Sequence, residues 1–128
     1  VSLIGLLPLT STDPSIAALV RAAASPVLDP YRGTIAPEGI RPAIVADLAE
    51  TGRTIVLVTA TGKDADDLAG EITQFLPADD VATFPAWETL PHERLSPRSD
   101  TVARRLATLR RLVHPGDEPR TARPRVVT

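Results

Sequence analysis

The sequence predicts an α/β domain built on a parallel sheet, and three observations carry that reading. The run Thr54-Ile55-Val56-Leu57-Val58-Thr59 is rich in β-branched residues and lacks polar alternation, as a strand buried on both faces of a parallel sheet does. A helical pattern follows it, and then a second apolar run from Val81 to Phe84. This order of strand, helix and strand implies parallel strands joined by a right-handed crossover. The third observation is size: 128 residues, 43% of them hydrophobic and 23% charged, suit one folded domain. The predicted architecture is a three-layer parallel sheet with flanking helices, one domain over residues 1–128.

In chain order, Asp13-Pro14 starts the first helix, a capping carboxylate followed by a residue whose fixed φ suits the first turn. Ile16, Leu19, Val20 and Ala23 continue it at helical spacing, giving a helix over about 14–24. Gly33 to Ala36 is expected as a short strand. A second helix has Pro42 in its first turn, Ile44, Val45 and Leu48 on its apolar stripe, and Gly52 as its stop. After the interior strand, Asp64 is expected to cap a helix with Leu68, Ile72, Phe75 and Leu76 on one face. A proline-rich loop, Pro85 to Pro97, precedes a last helix over about 100–113 with Val102, Leu106, Leu109 and Val113 inward. Val126-Val127 reads as the start of another strand, so the domain is expected to be truncated and to belong to a longer protein.

Composition excludes several chemistries. There is no cysteine, hence no disulfide, thiolate metal site or Cys nucleophile. No apolar stretch reaches the roughly 18 residues of a membrane span, and no basic segment precedes the Leu-rich start Val1 to Leu9. The expected location is the cytoplasm, with no membrane partner. The net charge of −2 conceals an asymmetry: 5 basic and 12 acidic residues over 1–91, against 9 basic and 4 acidic over 92–128. The basic end is either a solvated face or a docking surface for phosphate or an acidic partner.

Between the first strand and its helix lies the segment Thr59-Ala60-Thr61-Gly62-Lys63-Asp64, where a phosphate-binding loop would sit. The working pattern, G-x-x-x-x-G-K-[ST], wraps phosphates in backbone N–H groups and ends on a hydroxyl that holds Mg²⁺. Here Leu57 stands at the first glycine position and Asp64 at the hydroxyl position. Only Gly62 and Lys63 remain, so the loop reads as degenerate and no cofactor is expected on this chain. His92-Glu93 opens like a zinc-protease motif, but Ser96 occupies the place of the second histidine. No metal site is expected. Ser96, Ser99 and Thr101 have no evident base, so no catalytic residue is assigned. Trp87 is expected to pack. On the last helix, Arg104 and Arg111 oppose the Leu stripe while Arg105 and Arg110 flank it. With Arg98 just upstream, they form the candidate interaction surface.

The stretch Phe84-Pro-Ala-Trp-Glu-Thr-Leu-Pro-His-Glu-Arg-Leu-Ser-Pro97, continuing as Arg98-Ser-Asp-Thr-Val-Ala-Arg-Arg-Leu-Ala-Thr-Leu-Arg-Arg-Leu112, resembles the N-terminal region of bacterial transcription-repair coupling factors (Mfd). Val56 to Gly62, the helix after it, and Val126-Val127-Thr128 resemble the same family, and the Arg- and Ala-rich, Lys-poor composition is similar to its actinobacterial members. The resemblance implies a degenerate RecA/UvrB-like first subdomain without nucleotide-binding residues, non-catalytic and acting as scaffold or regulator. For the parent protein it implies an ATP- and Mg-dependent double-stranded DNA translocase. That protein would displace stalled RNA polymerase at lesions and recruit UvrA for nucleotide excision repair, through domains further along the chain. The alternative is a fragment of a UvrB-type or helicase ATPase that uses Gly62-Lys63.

Overall fold

The computed structural model describes residues 2–27, 33–87, 96–116 and 122–128. A 3₁₀ turn, Ile4–Leu6, runs into the short helix α1, Leu7–Thr10. Helix α2, Pro14–Ala24, has the predicted start: the Asp13 carboxylate accepts from the backbone N–H of Ser15 at 2.8 Å and of Ile16 at 3.2 Å. These bonds satisfy donors that a helix start otherwise leaves open. Helix α3, Arg41–Ala49, begins with Pro42 in its first turn. The chain leaves it through Gly52 at φ 78°, a left-handed conformation that a side chain resists.

Strand β1, Ile55–Val56, leads to helix α4, Gly62–Ile72, and then to strand β2, Val81–Ala82. Helix α5, Ser99–Val113, and strand β3, Val126–Val127, complete the fold. The three strands form one parallel sheet in the order β1-β3-β2, so the strand latest in sequence lies at the centre. Val126 is in register with Ile55 and Val81, and Val127 with Val56 and Ala82. Backbone bonds carry the ladder beyond these pairs: Leu57 donates to Val127 O at 2.8 Å and Phe84 to Thr128 O at 2.6 Å.

The core lies on one face of this sheet. Ala43, Val45, Ala46 and Ala49 of α3 meet Ile72, Phe75, Leu76 and Val126, while Ile55, Leu57 and Val81 pack against them half-buried. Leu3 and Leu7 close the edge of the cluster. Buried Asp47 of α3 is satisfied from the same N-terminal segment, because the Thr10 hydroxyl lies 2.6 Å from its Oδ2; an unpartnered carboxylate there would be costly. Arg125, at the entry to β3, joins Glu50 Oε1 at 2.6 Å and Asp80 Oδ2 at 3.3 Å, tying the end of α3 to the start of β2. Its guanidinium is held above its ordinary pKa, chiefly by the hydrogen bond to Glu50.

The arrangement is α/β, and it corrects four expectations. Within the run Thr54 to Thr59 only Ile55–Val56 is strand, and among the described residues it lies at the sheet edge rather than inside: β3 covers one side of it, and Val56 and Val58 are 68% and 92% exposed. Val126-Val127 takes the central place, which two parallel neighbours require. Gly33 to Ala36 is not a strand, and Ile35 is fully exposed. Helix α4 starts two residues before Asp64, because the Thr61 hydroxyl accepts the Asp64 N–H at 3.1 Å and is the cap.

The fourth correction concerns α5, whose apolar stripe faces out. Leu106, Leu109 and Val113 are 60%, 44% and 66% exposed, while Thr101 and Thr108 are buried. Polar bonds hold the inward face: Thr108 Oγ1 donates to Thr83 O at 2.8 Å, and Arg104 reaches Thr83 Oγ1 at 2.7 Å and Asp66 Oδ1 at 2.9 Å. The rim of β2 offers oxygen atoms rather than apolar side chains, and donors turn toward it.

Candidate functional site

The carboxyl ends of parallel strands are where α/β folds place ligands, and here they border a crevice of about 400 Å³. Its walls include Val56, Val58, Thr61, Phe84, Arg105 and Thr128. The segment with the phosphate-loop position forms one wall, through Thr59 to Gly62. Its chemistry is another matter. Leu57 belongs to the β1 extension and is half-buried against the core. Gly62 opens α4 with nothing within 4 Å of the place a Cβ would take, so no tight turn or close approach depends on it. Lys63 pairs with Asp67 one turn along α4, a contact that raises its pKa above the ordinary value, first through the hydrogen bond and then through charge attraction. Asp64 stands in the first turn of α4 and Asp66 lines the crevice. A phosphate at this helix start would meet carboxylates, with its lysine already engaged.

The candidate interaction residues divide by orientation. Arg104 is bound to Asp66 and Thr83, as described. Arg105 donates to Pro85 O at 2.5 Å, and its guanidinium lies 3.8 Å from the centroid of Phe84 and 4.3 Å from that of Trp87. Trp87 is thus half of a cation–π contact at the crevice rim, 49% exposed, rather than a core residue. Arg111 donates to the carbonyls of Asp79 and of Ala122, the latter at 3.1 Å. Arg98 pairs with Asp100 at 3.2 Å, and Arg110 lies on the exposed side of α5. The structure does not gather the five into one outward patch, since Arg104, Arg105 and Arg111 bind the chain's own oxygens.

His92 and Glu93 lie outside the described residues. Ser96 and Ser99 are exposed, and Thr101 is buried in α5. Among the described residues, no group of three or more His, Asp or Glu could hold a metal ion, and no helix is long and apolar enough to cross a membrane. Sequence reasoning missed the polar anchoring of α5. Its signal was present: Thr101, Arg104, Thr108 and Arg111 recur at spacings of three, four and three residues, a stripe as regular as the leucines.

No family model matches the chain. Over 83 residues, 65% of its length, it is 55% identical to transcription-repair-coupling factors of Mycobacterium bovis and Mycobacterium tuberculosis. Over 57 residues, 44% of its length, it is 33% identical to that of Rickettsia bellii. The match to the mycobacterial proteins spans 7% of their length and the match to the rickettsial one 5%. By its sequence, then, the chain is similar to a small part of transcription-repair-coupling factors.

Proposed function

We propose that this domain is a non-catalytic, UvrB-like scaffold within a coupling factor that clears stalled RNA polymerase from damaged DNA and brings in UvrA. The observation that carries the reading is the conjunction of 55% identity to coupling factors with Leu57 and Asp64 standing at the first-glycine and hydroxyl positions of the loop between β1 and α4. A RecA- or UvrB-like core would bind a nucleotide where β1 meets α4. Here Leu57 stands in place of the first glycine and Asp64 in place of the Mg²⁺-holding hydroxyl, and Lys63 pairs with Asp67. ATP and Mg²⁺ would then act elsewhere in the parent protein, as would the contacts to double-stranded DNA, RNA polymerase and UvrA. The domain's contribution is to hold its sheet and α5 as a rigid frame for neighbouring segments.

Isothermal titration calorimetry of the chain with Mg-ATP tests this directly, and no saturable heat is expected. Micromolar binding that disappears in Lys63→Ala would overturn the scaffold reading and favour an ATPase that uses Gly62-Lys63.

A further inference from the structure

The outer edge of β1 carries backbone groups without partners. Ile55 and Leu57 donate to Arg125 O and Val127 O, each at 2.8 Å. Strand alternation then turns the N–H and C=O of Val56 and Val58 toward the opposite edge, where among the described residues no hydrogen bond reaches them. Sheet edges are ordinarily guarded by charges, prolines or bulges. The segment 54–60 holds no charged residue and no proline.

Two hollows lie along this stretch, away from β2 and β3. One, of about 490 Å³, is lined by Leu57 with Ile35, Ile44, Val45 and Leu68. The other, of about 530 Å³, borders Leu57 to Ala60 and is lined by Glu38, Arg41, Asp64, Asp67 and Glu71. They share Arg41, Leu57 and Leu68, so an apolar hollow passes into an acidic one. Arg41 answers Glu38 at 3.7 Å, and Lys63 answers Asp67. Glu71 has no ion pair among the described residues, and Asp64 shares the charge of a Lys63 already bonded to Asp67. The acidic end therefore sets four carboxylates against two cations.

The open backbone selects its occupant. Alternating N–H and C=O groups are met by another extended chain and not by a helix, whose own backbone groups are used internally. Alternate side chains of that strand would enter the apolar hollow, and cations beyond them would meet Asp64 and Glu71. We propose that the open edge of β1 accepts an added β-strand from a partner segment with an apolar core and Lys or Arg at the end that passes Val58. This assignment goes beyond the scaffold reading and stands whether or not the crevice binds nucleotide.

The test is fluorescence anisotropy with labelled synthetic peptides. Two share a core of about five alternating Val and Thr residues, one flanked at both ends by Lys and the other by Glu. The chain is expected to bind the Lys peptide about tenfold or more tightly than the Glu peptide, with the gap narrowing as salt is raised. Two further versions of the Lys peptide are N-methylated at alternate core amides, in one register or the other, and at least one should lose binding with its donors. Val58→Pro removes an outward N–H and leaves the Leu57 bond to β3 in place. It should weaken Lys-peptide binding by about tenfold or more with thermal unfolding unchanged. Glu71→Lys, on the exposed side of α4, should weaken Lys-peptide binding and strengthen Glu-peptide binding. Equal affinity for the two peptides, no binding of the Lys peptide, or full binding of both N-methylated versions would overturn the proposal. So would a dimer in sedimentation velocity that Val58→Pro dissociates, since that result gives the edge to a second copy.

Discussion

Helices α4 and α5 are both amphipathic, yet they present opposite faces to the rest of the molecule. In α4, Ala69 and Ile72 are buried and the acidic residues Asp66, Asp67 and Glu71 are exposed. In α5, two threonines are buried and the leucines are exposed. The difference lies in what each helix meets. The apolar face of α4 finds α3 and the covered side of the sheet, where Ala46, Ala49 and Val126 supply apolar contact. Helix α5 lies along the rim of β2, where carbonyl oxygens of Asp79, Thr83 and Pro85 need donors. Leaving such groups unpaired costs more than leaving a leucine in water. Amphipathicity therefore divides a helix into two faces, and the neighbouring surface decides which one turns inward.

Carboxylate substitution separates the two helices most sharply. Ile72→Asp in α4 is expected to abolish cooperative folding, since an uncompensated buried charge costs several kcal/mol against a total stability of about 5–15 kcal/mol. Leu109→Asp in α5 should shift stability by no more than about 1 kcal/mol, mainly through helix propensity. Thermal unfolding followed by circular dichroism reads both, and equal losses would remove the inverted orientation of α5.

A smaller effect comes from the anchors of α5. Arg104→Ala combined with Arg111→Ala is expected to destabilise the chain by about 1–3 kcal/mol, because carbonyl and carboxylate partners lose their donors. Urea denaturation measures this, and an unchanged midpoint would show that the helix is held by other means. Reversing the same two arginines to probe an external partner would therefore loosen α5 as well.

The smallest effects belong to the first turn of α4. Thr61→Ala should cost about 1 kcal/mol through the lost cap. Lys63→Ala should leave the melting temperature unchanged within error, because its pair with Asp67 is on the surface and screened by water. A larger loss for Lys63 than for Thr61 would mean that the lysine supports the crevice rather than facing solvent.

Local signals were legible in the sequence where one short-range interaction decides the outcome. Asp13-Pro14 marked the start of α2 to the residue, and Gly52 marked the exit from α3. Strand-then-helix order placed the segment Thr59 to Asp64 between β1 and α4, where Thr59 to Gly62 line the crevice. Long-range choices were hidden. The β-branched run at 54–59 fits an edge strand as well as an interior one, because strand propensity does not record how many neighbours a strand has. The leucines of α5 look the same whether they face the chain's own core or water. Thr61 was overlooked as a cap because Asp64, an equally good capping residue, stands three positions later.

The central place of β3 also bears on how the chain acquires its structure. Among the described residues, strands β1 and β2 do not pair with each other, and each pairs with β3. The Thr54 hydroxyl bonds to Pro124 O across 70 residues, and Arg125 meets Asp80 across 45. During synthesis the helices of the first hundred residues can form while the sheet cannot, since its middle strand has not yet left the ribosome. Closing two long loops at once is an entropic burden that slows folding. Until that step, the apolar residues of β1 and the inner face of α3 stay accessible, and a nascent chain in this state is a substrate for chaperones and proteases.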